Sequence, residues 1–191
     1  MEKNDLFSSL AEAALELGAY KASVIRAEHI ETDRAFRDMC AANSCGIYGK
    51  CYMCPPDVGD IDVLMARLRE YDYALVYQTV TPIEDSFDFE GMAEAKKRTY
   101  PLAQALRPVF SDMNIFHTLH LGAGGCGVCK PCAKQTGEPC RFPEKAMPSL
   151  EAYGVNVSLL AKTAGMRYIN GQNTVTYFGA VLFFLDGEKY E

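Results

Sequence analysis

Apolar positions recur along this chain at two spacings. Between Asn4 and Leu17, the residues Leu6, Leu10, Ala14 and Leu17 share one helical face, and Gly18 follows where helices commonly stop. Residues 20–28 (YKASVIRAE) read as a strand and 31–39 (ETDRAFRDM) as a short helix. Asp60 stands where it can cap a helix through Tyr71, with Ile61, Leu64, Met65 and Leu68 facing inward. YALVYQTV (73–80) is rich in aromatic and branched residues and predicts a strand. Residues 88–110 are helical in character, with Pro101 expected to kink or divide the segment. NIFHTLHL (114–121) alternates as a strand does. Ser149 to Ala164 reads as helix, broken near Gly154 and stopped by Gly165. TVTYFGAVLFFL (174–185) is apolar throughout its second half, which predicts a central strand covered on both faces.

This interleaving predicts an α/β (or α+β) fold. The expectation is a single layered sheet-and-helix domain over residues 1–191, with cysteine-rich metal-binding loops at 40–56 and 124–143. Close to half of the 191 residues are apolar, enough for a sizeable core. The formal net charge of −6 argues against nucleic acid as a partner, because that binding rests on Lys and Arg contacts to phosphate. No run approaches the ~18 apolar residues of a membrane span. The first 20 residues carry acids inside their apolar pattern and do not read as a secretory signal, which leads to the expectation of a cytoplasmic protein.

That expectation changes the meaning of the eight cysteines. In a reducing compartment, clustered cysteines point to metal or catalysis before disulfides. All eight fall within 40–54 and 126–140. The second stretch reads GGCGVCKPCAKQTGEPCRFP, with the spacing Cys126-x2-Cys129-x2-Cys132-x7-Cys140. Successive two-residue steps can wrap three thiolates around one compact [4Fe–4S] cluster, and a more distant cysteine closes the fourth corner. Gly124, Gly125 and Gly127 free the backbone to turn, while Lys130, Lys134 and Arg141 could offset the negative charge. The alternative is a zinc site of four cysteines, although such sites usually take two separated short pairs. Gly122, Gly124 and Gly127 also match G-x-G-x-x-G, but the dinucleotide motif needs a helix opening there, and the chain continues VCKPC.

The first stretch, CAANSCGIYGKCYMC, has the spacing Cys40-x4-Cys45-x5-Cys51-x2-Cys54 and is followed by Pro55-Pro56. Its four thiolates could hold a second centre. Cys51-x2-Cys54 could instead be a redox dithiol, which expects a helix starting at its first cysteine. Ligands from both stretches could also combine.

Taken together, GGCGVCKPCAKQTGEPCRFPEKAMPSLEAYGVNV and TVTYFGAVLF resemble a family of prokaryotic proteins described as predicted metal-binding proteins. The first stretch is similar to that family's Cys-x4-Cys-x8-Cys-Pro-Pro pattern at Cys40, Cys45 and Cys54, whereas Cys51 is not part of it. The resemblance implies metal binding through an iron–sulfur centre and implies no particular reaction.

The remaining candidates have plainer readings. His117 and His120 lie three apart on the expected strand and point to opposite faces, so they do not share a ligand. His29 reads as a surface residue, Glu151 as a carboxylate favouring a helix start, and Tyr177 and Phe178 as core. The Lys96-Lys97-Arg98 run reads as a solvated face. Two functions follow from the residues: an iron–sulfur protein exchanging electrons with a redox partner protein, or a zinc-stabilised binding or adaptor module. A third is an enzyme using the cluster beside an organic cofactor.

Overall fold

The architecture was obtained as a computed structural model, which describes residues 3–185. In chain order the helices and strands are α1 (Lys3–Glu16), β1 (Lys21–Arg26), α2 (Ala35–Ala41), α3 (Ile61–Leu68), β2 (Tyr73–Pro82), α4 (Phe89–Asp112), β3 (Thr118–Leu121), α5 (Val157–Thr163) and β4 (Thr174–Phe183). The four strands form one antiparallel sheet in the order β1-β2-β4-β3. With helices and an antiparallel sheet, the fold is of the α+β kind.

Side-chain alternation along β2 and β4 divides the core between the two faces of the sheet. Leu75, Tyr77, Val181 and Phe183 pack on one side with Leu10 of α1 and with Leu102, Leu106 and Phe110 of α4. Ala74, Val76, Ala180 and Leu182 pack on the other with Leu64 and Leu68 of α3 and Leu160 of α5. The continuous apolar run of β4 thus reflects cover on both faces, as expected, here in an antiparallel setting.

Close packing also depends on Gly179, which pairs with Tyr77 across β2 and β4. A Cβ at Gly179 would lie 2.3 Å from the Tyr77 ring and hydroxyl.

Several expected boundaries move for local reasons. Asp60 does cap α3, its carboxylate accepting from the amides of Asp62 and Val63 at 2.9 and 3.3 Å. The helix ends at Leu68 rather than Tyr71. The helix expected over 31–39 begins at Ala35, because the chain just before it pairs with the segment ahead of α5. Thr32 bridges Val155, and the Asn156 amide donates to the Glu31 carbonyl at 2.9 Å. Pro101 does not divide α4, which runs unbroken through both Pro101 and Pro108. The strand expected over 114–121 is only four residues long, so His117 precedes it. Residues 149–164 are broken at Gly154 as expected, into the 3₁₀ turn Glu151–Tyr153 and α5.

His120 of β3 is buried, with Nδ1 lacking a hydrogen-bond partner. Its ring meets Phe110 edge-on at 6.1 Å. Burial, reinforced by the positive charge of Arg107, lowers its pKa to about 3.

Gly179→Ala should cost about 1–3 kcal/mol in urea unfolding, and a second change, Tyr77→Leu, should recover part of that loss. Equal stability of Gly179→Ala and the parent would refute the close approach. His120 binds its proton less readily folded than unfolded, where its pKa is ~6.5. Its contribution to stability is therefore fully present above pH ~6.5 and is lost as pH falls toward 3. His120→Leu should thus lose roughly 2 kcal/mol less than the parent between pH 7 and 4.5 at matched metal content.

Candidate metal centre

The two cysteine stretches leave opposite edges of the sheet and meet. The first follows α2, downstream of edge strand β1, and the second directly follows edge strand β3. Cys40 itself lies in α2, while Cys45, Cys51 and Cys54 occupy turns. The second stretch stays irregular until the 3₁₀ turn Ala133–Thr136. No helix opens at Gly127, which removes the dinucleotide reading, and none opens at Cys51, which removes the thioredoxin-type context.

Polar contacts tie the loops together. The Tyr52 hydroxyl donates to the Glu138 carbonyl at 2.8 Å, and Lys134 pairs with Asp57. The backbone at Gly125 passes so near the first loop that a Cβ there would sit 3.4 Å from Cys54 Sγ.

All eight cysteines are free thiols; Cys51 and Cys126 are buried and Cys45 is exposed. Cys51 is the junction. Its thiol shares hydrogen bonds with Cys126 of the other loop and with Cys54. These bonds, aided by the backbone amides of Met53 and Cys126, hold the Cys51 pKa far below the usual thiol range. The same contacts act oppositely on the partners. Cys54 and Cys126 are pushed up, first by the bond to Cys51 and then by burial. The Val128 and Met147 amides work against this at Cys126, both bonding to its sulfur. Cys40 is raised by burial, with the Glu151 and Cys45 charges adding and Arg37 opposing.

Cys126, Cys129, Cys132 and Cys140 line one narrow cavity, and Cys51 lines it with them. A second, larger cavity of about 340 Å³ lies between this loop and α4. Cys51, Cys126, Cys129 and Cys132 form one wall of it, and Cys140 does not reach it. Cys40, Cys45 and Cys54 line neither cavity, although the charges of Cys40 and Cys45 are felt at Cys54. Among the described residues, no three His, Cys, Asp or Glu side chains converge on a single-ion site. The donor chemistry nevertheless fits a thiophilic metal. Neither cavity has an Asp, Glu or His in its lining, so the ligands offered are sulfur, which suits zinc or an iron–sulfur cluster.

Of the cations expected to balance the site, Lys134 is tied to Asp57 and Arg141 to Glu138 at 2.6 Å. Both still lie close enough to Cys132 to feel its charge. Lys96 and Tyr100 of α4 also line the larger cavity. Lys96 turns inward instead of staying on a solvated face, and a Cβ at Gly124 would lie 2.5 Å from its Nζ. Tyr100 packs its ring on Gly127, where a Cβ would come within 2.9 Å. Both glycines have positive φ, +65° and +68°, so they are needed for the turn and for the approach of α4. The available sequence signal was the i, i+4 spacing of Lys96 and Tyr100 on one helical face.

The plainer candidates fall mostly as expected. His29 is exposed, and Phe178 is core. Tyr177 is half-buried, its hydroxyl donating to the Met92 carbonyl at 2.9 Å. Glu151 opens the 3₁₀ turn, near Cys40.

Comparison with curated proteins and with solved structures returned no match. A family model described as predicted metal-binding protein (DUF2284) matches residues 23–183, a span that contains all eight cysteines. On that match the chain belongs to the predicted metal-binding protein family DUF2284.

Proposed function

We propose that this chain is an iron–sulfur protein that holds a [4Fe–4S] cluster through Cys126, Cys129, Cys132 and Cys140. The observation that carries the reading is that all four line one narrow cavity, three of them also lining the adjoining space of about 340 Å³, with the Val128 and Met147 amides favouring the Cys126 thiolate. Amide donors favour charged sulfur and are a main means by which proteins tune such centres. When bound, the cluster supplies one-electron transfer, to a redox partner protein or to a substrate at the adjoining cavity. The chain's part is to bury the sulfurs partly, to aim the amides and to keep Lys130, Lys134 and Arg141 near the negative charge.

A second centre would use Cys40, Cys45 and Cys54, with Cys51 or an outside ligand as the fourth. The charges of Cys40, Cys45 and Cys51 all act on Cys54, which supports that grouping. Cys51 stands between the two groups and lies within reach of either.

Anaerobically reconstituted protein should be brown, with iron and acid-labile sulfide in equal amounts. Cys126→Ser or Cys132→Ser should remove the iron of the second-stretch centre. Cys45→Ser should remove about half of the total if two centres exist and none if only one does. Colourless protein with stoichiometric zinc and no sulfide after reconstitution would overturn the reading in favour of a zinc-stabilised module.

A further inference from the structure

We propose that the cavity between α4 and the second cysteine loop binds a small organic anion, a carboxylate or phosphate carried on an apolar body. Its volume of about 340 Å³ is at the small end of the range for small-molecule sites. Cysteines make one wall, and Ala93, Lys96, Lys97 and Tyr100 of α4 make the facing one. Lys50 and Lys130 complete a set of four lysines around the space, and its lining has no acid. The chain as a whole carries a net charge of −6, so this local excess runs against its own composition. Lys97 pairs with Glu94 at 2.8 Å; Lys50, Lys96 and Lys130 form no ion pair among the described residues. Ile47, Ala93 and Pro131 give the cavity an apolar surface. The Tyr100 hydroxyl is buried without a hydrogen-bond partner. Unpaired ammonium groups and an apolar surface suit an anionic head group on a hydrophobic body.

The cavity adjoins the narrow one, and the two share Cys51, Cys126, Cys129 and Cys132 as a common wall. Cys140, the fourth proposed ligand, lines the narrow cavity and not this one. A centre that takes Cys140 as a ligand together with the shared cysteines extends toward the narrow side, which leaves the lysine side to the ligand. The binding does not depend on which metal the cysteines hold, although the placing of the centre rests on the function proposed above.

The test is calorimetric titration of metal-replete, anaerobic protein with benzoate and with phenyl phosphate, with metal and sulfide measured on the same samples. At least one probe should bind with one-to-one stoichiometry, and the tighter of the two identifies the head group. Lys96→Met and Lys50→Met should each weaken it at least tenfold without changing metal content. Ala93→Trp, which fills the space and leaves every charge in place, should abolish binding. Lys162→Met, on α5, should leave it unchanged. Failure of both probes at millimolar concentration would overturn the site, as would parent-like affinity in the lysine variants. Loss of metal together with binding in those variants would also overturn it, by showing that the lysines serve only to balance the centre. Zinc-loaded protein that still binds the probe would sink the iron–sulfur reading and keep this site; iron-loaded protein that binds neither probe would do the reverse.

Discussion

The contact of Cys51 with Cys54 and Cys126 is the constraint around which the two loops are arranged. Cys51 and the two thiols bonded to it cannot all ionise in a partly buried space, because each thiolate raises the cost of the next. The arrangement settles this unevenly: charge is favoured on Cys51 and opposed on its two neighbours. A bound metal inverts that logic, since a cation makes every coordinating thiol deprotonate. The nearby amides of Met53, Val128 and Met147 serve the charged sulfurs in the same direction. Lys134 and Arg141 bring positive charge without being loose, because each is held by a carboxylate.

The scaffold brings the loops to this contact from opposite sheet edges, closing the second at its base and fixing the approach to the first. The second loop is pinched by a bridge between Gly122 and Ser149, with the Leu150 amide donating to the Gly122 carbonyl and the Gly122 amide to that of Pro148, both at 2.9 Å. Closing a loop this way reduces the entropy that its sulfurs must otherwise lose on meeting. The first is held where Thr32 bridges Val155, next to the second loop's return. α4 then crosses over the glycines of the second loop, which is why its inward face carries Lys96 and Tyr100 rather than apolar residues.

Much of the secondary structure could be read from the chain because it rests on local signals. The face of α1, the Asp60 cap and the breaks at Gly154 and Gly165 depend on neighbours within a turn. The misplaced boundaries have non-local causes. The start of α2 is set by pairing with residues 155 and 156, and the continuity of α4 through Pro101 by packing against α1 and the sheet. At the site, spacing grouped Cys126, Cys129, Cys132 and Cys140, and the four line one narrow cavity. Spacing could not bring Cys51 to Cys126, seventy-five positions away, and the family pattern gave Cys51 no part. Nor could it turn Lys96 inward, since a charge run on a helix normally faces water.

The burial pattern separates the scaffold from its loops. The largest fully buried side chains, among them Phe110, Phe183, Leu75, Leu106 and Leu182, belong to the sheet and its helices or to their immediate ends. None lies in residues 42–60 or 123–146, where the buried residues are Cys51, Pro55, Cys126 and Ala133. The loops thus have almost no apolar core of their own, and hydrophobic burial supplies little of the free energy that orders them. What remains is hydrogen bonding, two ion pairs and the meeting of sulfurs. Metal binding to a thiolate set of this kind is itself folding free energy. The sheet can therefore stand on its packing, while the order of the two loops is coupled to whatever their cysteines hold.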